Sequence, residues 1–244
     1  MNAMILAAGL GKRLKPITDK IPKPLISING ETPIKKHLEN LDKANFSTVV
    51  INLSHLGFKI CREFGNKFGK NLSIRYSFEP KGALETAGGI AYAEPWDKVD
   101  EPFLVLNGDI WSDWDAKEAY DLGNEVRKKK LWGFLIMVNS LNEKHGDFFL
   151  NSKSRLLTTI DSSKKEKNLY EKLTFSGFGV YTSKMFSSVV KGERTALKPI
   201  FDFGINSHLI LGRKHDGEWV DIGSHEELEK LKLEMTKTKS QRVN

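Results

Sequence analysis

The sequence predicts an α/β fold in which a parallel sheet is covered on both faces by helices. Three observations carry this. Apolar or β-branched runs recur at Met4 to Ala8, Thr48 to Leu53, Leu72 to Phe78 and Pro102 to Ile110. Amphipathic stretches with helical spacing separate several of them, and the links are short. Strand and helix alternating in this way cannot be joined as hairpins, so the strands run parallel and the crossovers cover the sheet.

In chain order, Met4 to Ala8 is expected as a buried strand that breaks into the loop G-L-G-K-R-L-K-P. Leu25 to Ile28 reads as a short strand and Asn29-Gly30 as a turn. Thr32 can cap a helix that starts at Pro33 and places Ile34, Leu38 and Leu41 on one face. After the strand Thr48 to Leu53, a helix sets Ile60, Phe64 and Phe68 four residues apart, and Leu72 to Phe78 returns as a strand. Glu79 to Gly89 is a loop opening onto a short helix through Ala93.

Pro102 to Ile110 leads through apolar residues to Asn107, Gly108 and Asp109, with the next helix beginning near Asp115 and ending in the basic run Arg127 to Lys130. Gly133 to Val138 and Asp147 to Leu150 read as strands, and Asn151 to Asn168 as a polar excursion at a sheet edge. In the strand Phe175 to Tyr181, Gly177 and Gly179 share one face, which either leaves that face open for a ligand or marks a bulge. Helices are expected over Ser183 to Val190 and Lys198 to Leu211, then a short strand Glu218 to Gly223. Ser224 and Glu227 form a capping box for a last helix.

Composition narrows the class. With 39% hydrophobic and 28% charged residues, the chain is an ordinary globular protein long enough to bury a sizeable core. No apolar run approaches a membrane span, no signal sequence is evident, and a cytoplasmic location is expected. Cys61 is the single cysteine, so no internal disulfide forms, and it is expected as a small buried hydrophobe. The net charge of +7 is concentrated at the end: Lys230, Lys232, Lys237, Lys239 and Arg242 against Glu234 give the last fifteen residues +4. Without aromatics or a base-reading motif, this is a solvated helix end rather than a nucleic-acid surface. Residues 1–235 are expected as one domain and 236–244 as a basic tail.

The first loop points to phosphate chemistry. Gly9 and Gly11 lack the Cβ atoms that would hold a polyanion away from backbone N–H groups, and Lys12, Arg13, Lys15, Lys20 and Lys23 add positive charge. Two familiar glycine loops are excluded. A dinucleotide fingerprint needs glycine where Leu14 stands, and a Walker loop needs glycine at Leu6 and a hydroxyl at Arg13. Two aspartates then stand at strand ends with no capping duty, Asp109 and Asp221. Phosphates held by N–H groups and guanidinium, with Mg²⁺ on one or two carboxylates, is the chemistry these parts suit. His37, His55, His145, His208, His215 and His225 show no metal spacing and are expected as surface or boundary residues.

The order L-A-A-G-L-G-K-R-L-K-P, P-K-P-L, L-E-T-A-G-G, L-N-G-D, G-F-G-V-Y and W-V-D-I-G-S, spanning residue 4 to about 230, resembles the sugar-1-phosphate nucleotidyltransferases. Within them it is most similar to the N-acetylmuramate-1-phosphate uridylyltransferases of peptidoglycan recycling. The resemblance implies a Rossmann-like domain with a mixed, mostly parallel sheet, which transfers UMP from UTP to the sugar phosphate with Mg²⁺ and releases pyrophosphate. It further implies that Arg13 and Lys23 are catalytic and that Asp109 and Asp221 bind the metal. Leu6, Ala7, Ala8, Gly9, Gly11, Lys12, Glu79 and Asn107 would line the nucleotide, and Glu85, Thr86, Asp147, Glu171 and Gly177 the sugar phosphate. The partners implied are a nucleoside triphosphate and a sugar-1-phosphate, with the enzyme a monomer or small homo-oligomer. A uridylyl-, guanylyl- or cytidylyltransferase acting on glucose, N-acetylglucosamine or mannose 1-phosphate is the alternative, and a non-catalytic nucleotide-sugar sensor is the alternative of a different class. The sequence departs from the family pattern at Lys12, at Glu171-Lys172-Leu173 and at Lys198.

Overall fold

The computed structural model describes residues 1–80, 83–139, 146–159 and 169–242, with side chains as far as residue 236. Lys81 and Gly82 of the predicted loop, His145 and the 160–168 part of the polar excursion lie outside the described residues. So do the side chains of the basic tail beyond Thr236.

The central strand is β1 (Ala3–Leu6), hydrogen-bonded in parallel to β2 (Thr48–Leu53) on one side and to β5 (Phe103–Asn107) on the other. Beyond β2 come β4 (Leu72–Phe78), also parallel, and the two-residue β3 (Lys67–Phe68) at the edge. On the other side β10 (Tyr170–Tyr181) runs antiparallel between β5 and β7 (Gly133–Asn139), and β11 (Ile210–Lys214) closes that edge parallel to β7. β8 (Phe148–Asn151) and β9 (Leu157–Thr158) extend the lower part of β10. The fold is therefore α/β with a mixed sheet, parallel through its centre, as expected.

The two-residue period of the strands divides the core. Ala3, Ile5, Val49, Ile51, Leu104 and Leu106 face one cluster, with Ile34, Leu38 and Leu41 of α1 (Pro33–Lys43), Ile60 of α2 (Gly57–Phe64) and Leu122 and Val126 of α4 (Glu118–Lys129). Met4, Val50, Phe103 and Val105 face the opposite cluster, with Ala87 and Ile90 of α3 (Glu85–Ala93) and Phe201 and Ile205 of α5 (Lys198–Asn206). Helices thus cover both faces. A third cluster joins Leu14, Ile26, Ile28, Trp111 and Ile222 to Leu228 and Leu231 of α6 (His225–Arg242). It ties the first loop to the small sheet made of β6 (Ile110–Ser112) and β12 (Trp219–Asp221). Burying Leu14 completely stabilises that junction by about 2 kcal/mol.

Local signals hold where capping chemistry is explicit. Thr32 accepts from Lys35 N at 3.4 Å, and Ser224 Oγ accepts from Glu227 N at 3.2 Å. Four expectations are corrected. Leu25 belongs to a 3₁₀ turn, Lys23–Leu25, and Ile28 only bridges to Glu31, so no strand forms there. Helix α2 stops at Phe64, because Gly65 takes φ +61°, and Phe68 lies on β3 with its ring 6.1 Å from that of Phe64. Ser183–Phe186 is a single 3₁₀ turn rather than a helix to Val190. Helix α5 ends at Asn206, and His208 at φ +57° turns the chain into β11, whose first residues, Ile210 and Leu211, were expected as the end of that helix.

The backbone of α6 continues past residue 235 to Arg242. Among the described residues no helix is long and apolar enough to cross a membrane.

Candidate active site

β1 and β5 end side by side, with Leu6 in register with Asn107, and the chain turns outward at both points. Carboxyl ends of neighbouring strands from which connections diverge are where open α/β sheets bind ligands. A cavity of about 240 Å³ opens there, lined by Leu6, Ala7, Ala8, Gly9, Lys23, Asn107, Asp109, Glu79, Glu85 and Thr86 among others. Ten of the residues expected from the sequence therefore share one surface.

Asp221 reaches this place by strand pairing. In the β6–β12 ladder Asp221 lies opposite Ile110, and Ile222 N donates to Asp109 O at 3.3 Å, so the two aspartates are neighbours across the small sheet. Lys23 stands between them: its Nζ pairs with Asp109 Oδ2 and lies 3.7 Å from Asp221 Oδ1. The Lys23 side chain is only 11% exposed, so its charge acts in a poorly hydrated setting. Burial raises the Asp221 carboxyl above the ordinary range; Lys23 opposes this, the Asp109 and Glu227 carboxylates add to it, and Arg13 opposes it. This carboxylate pair is held together by a cation.

Gly11 has φ +59°, and a Cβ there would lie 2.7 Å from Thr18 Cγ2. Thr18 Oγ1 donates to Gly11 O at 2.9 Å, which fixes the turn ahead of Arg13. Arg13 and Lys12 are exposed. The Arg13 guanidinium passes the backbone at Gly223, where a Cβ would come within 2.9 Å of both Arg13 Nη2 and Glu227 Oε2. Gly177, at φ +83°, sits against Asn107: a Cβ would lie 2.5 Å from Asn107 Nδ2. The register of β10 against β7 shifts between Phe175 and Gly179, so of the two readings of this glycine pair the bulge is the observed one.

Asp147 and Glu171 do not line the cavity. Asp147 Oδ2 accepts from Phe175 N at 2.8 Å, and Glu171 Oε1 is 2.6 Å from Lys214 Nζ on β11.

Three residues were not anticipated. Asn52, buried at the end of β2, accepts from Ala7 N at 2.7 Å and donates to Glu79 Oε1 at 2.7 Å, linking the first loop to the second. Gly89 makes room for that contact, since a Cβ would lie 2.5 Å from Glu79 Oε1. The signal for Asn52 was present as a lone amide in the apolar run T-V-V-I-N-L. His37, expected near the surface, is only 4% exposed; its Nε2 lies 3.1 Å from Asn107 O and donates to it, and its ring meets Phe178 edge-on at 5.5 Å. Burial pushes its pKa down to about 4, against partial compensation from the Asn107 carbonyl and Asp109. Cys61 is half-buried against the first core cluster.

Among the described residues no group of three or more metal-binding side chains is found. Two carboxylates remain, which fits a hard divalent cation of the Mg²⁺ kind that completes its shell with water and phosphate oxygens.

A glycine-opened, cation-bearing loop beside paired carboxylates at a strand-end cavity defines a nucleotide- and phosphate-handling α/β protein. The chain belongs to the nucleotidyl transferase family, whose family model matches residues 2–238. It is 38% identical over 224 residues to the N-acetylmuramate alpha-1-phosphate uridylyltransferase of Neisseria meningitidis serogroup B, covering 92% of this chain and 94% of that one. It is 30% identical over 239 residues to the UTP–glucose-1-phosphate uridylyltransferase of Synechocystis, where it spans 60% of the longer relative. Among solved structures, a putative glucose-1-phosphate thymidylyltransferase from Bacillus anthracis shares the fold with a TM-score of 0.76 at 21% identity, covering 96% of this chain and 94% of that one.

Proposed function

We propose that this protein is a uridylyltransferase that transfers UMP from UTP to N-acetylmuramate α-1-phosphate, giving UDP-N-acetylmuramate and pyrophosphate. The observation that carries the reading is the convergence of Lys23, Asp109 and Asp221 at the mouth of the cavity formed by the ends of β1 and β5. The choice of sugar and base is supported by the Neisseria relative, which matches this chain nearly end to end.

In this reading an oxygen of the sugar phosphate forms a bond to the α-phosphorus of UTP. The bond from that phosphorus to the β-phosphate oxygen breaks, and pyrophosphate leaves with the electron pair. The attacking oxygen is anionic at neutral pH, so no residue has to remove a proton, and rate enhancement comes from alignment and charge neutralisation. Lys23 bridges the reacting phosphates, giving up its contacts with the two carboxylates in part. Arg13 neutralises the triphosphate from the first loop, with Gly9, Gly11 and Lys12 supplying N–H groups and charge. Asp109 and Asp221 would hold Mg²⁺, which when bound supplies positive charge to the phosphate oxygens. Leu6, Ala7, Ala8, Asn107 and Glu79 enclose the nucleoside, and Glu85 and Thr86 border the sugar, with Gly177 packed against Asn107 rather than lining the cavity. Asp147 and Glu171 reach the sugar only by leaving their present partners.

The test is pyrophosphate release over a grid of UTP, CTP, GTP and dTTP against the 1-phosphates of N-acetylmuramate, N-acetylglucosamine, glucose and mannose. The expected result is the highest kcat/KM for UTP with N-acetylmuramate 1-phosphate. A higher value for another pair reassigns the substrate within the class. Tight triphosphate binding without turnover on any sugar phosphate makes the protein a sensor instead.

A further inference from the structure

Glu85 lines the cavity, and its Oε1 lies 2.6 Å from Arg194 Nη2. The backbone delivers the arginine to this position. Ala87 N and Gly88 N both donate to Thr195 O at 3.1 Å, and Thr195 N donates to Leu84 O at 2.9 Å. Gly88 permits the approach, since a Cβ there would collide with the Glu193 carbonyl. The segment bearing Arg194 is thus bonded to the first turn of α3. Ala83 and Glu85 take φ +47° and +56° at this contact, a conformation that side-chain-bearing residues adopt at some cost.

The ion pair contributes little to stability, because the Arg194 and Glu85 side chains are 69% and 38% exposed and water screens them. Its consequence is for the charge of the cavity. Among the described lining residues Glu79, Glu85 and Asp109 are acidic and Lys23 is the one cation, already shared by Asp109 and Asp221. An anionic substituent arriving beside Glu85 would be repelled unless Arg194 cancels that carboxylate. The guanidinium carries five donors in a planar fork, and Glu85 meets it at Nη2, which leaves donors for a second carboxylate. The next cation along the chain, Lys198, is held by both oxygens of Asp202 at 2.9 Å.

We propose that Arg194 is a specificity-determining residue that recognises a carboxylate carried by the sugar. This rests on the acceptor assigned above, because the lactyl ether of N-acetylmuramate is such a group and N-acetylglucosamine lacks it. Arg194 does not touch the reacting phosphates in this account; it selects the acceptor.

The test is the ratio of kcat/KM for N-acetylmuramate 1-phosphate over N-acetylglucosamine 1-phosphate, with UTP, in the full-length wild type, Arg194→Ala and Arg194→Lys. A charge-assisted hydrogen bond lost from one substrate only lowers this ratio roughly tenfold to a hundredfold in Arg194→Ala, mainly through KM, and Arg194→Lys recovers part of it. A ratio unchanged in Arg194→Ala, whether both values fall together or neither does, overturns the proposal while leaving the acceptor assignment intact. A wild type that does not favour N-acetylmuramate 1-phosphate overturns the acceptor assignment first, and this proposal with it.

Discussion

His37→Gln should flatten the acid limb of the stability curve without breaking the contact behind the candidate active site. The buried imidazole has its pKa pushed from an ordinary 6.5 down to about 4, and it donates to Asn107 O, two residues before Asp109. Below pH 6.5 the unfolded chain takes up a proton that the folded chain refuses, so stability falls as pH drops and levels off below pH 4. At 1.36 kcal/mol per pH unit, that interval amounts to about 3 kcal/mol. Glutamine carries a donor of comparable reach and does not titrate in this range. Urea unfolding followed by tryptophan fluorescence at pH 7 and pH 4 should therefore show a loss about 3 kcal/mol larger for the wild type than for the variant. Carboxylates titrate in both proteins and cancel in the difference. Equal losses would refute the reasoning, since they would mean that His37 is protonated or hydrated in the fold.

Two further changes act closer to the chemistry. Gly177→Ala forces a side chain into φ +83° and against Asn107, which should destabilise the fold by about 1–3 kcal/mol and raise KM for substrate. Denaturant midpoints and steady-state kinetics on the same preparation check both effects. Lys23→Met leaves Asp109 and Asp221 without their shared cation, and turnover should fall by roughly 10² to 10³, measured as pyrophosphate release at saturating substrates.

The parallel core was legible because strand residues alternate strictly between two apolar faces, as Ala3, Met4 and Ile5 do. The cavity was legible because glycine, lysine and aspartate at strand ends have few structural duties there. Errors arose where apolar periodicity runs across an element boundary. From Ile200 to Leu211 the spacing continues through His208, whose left-handed backbone ends the helix and which gives no such signal as glycine would. Leu25 to Ile28 is apolar because Ile26 and Ile28 pack under α6, a contact from the far end of the chain. Long-range pairing also decided the site. Nothing local states that Asp221 faces Ile110, or that Arg194 reaches Glu85 through the backbone at Thr195. Glu171 is expected at the sugar phosphate, whereas Lys214 on the unanticipated β11 pairs with it.

Whether Asp109 and Asp221 hold a catalytic divalent cation is tested by the divalent-ion dependence of pyrophosphate release from UTP and N-acetylmuramate 1-phosphate in the wild type, Asp109→Asn and Asp221→Asn. The wild type should be inactive in chelator and restored by Mg²⁺. Each variant should be slowed by roughly 10² to 10³ at saturating Mg²⁺. Full turnover in chelator, or wild-type rates in either variant, would contradict it.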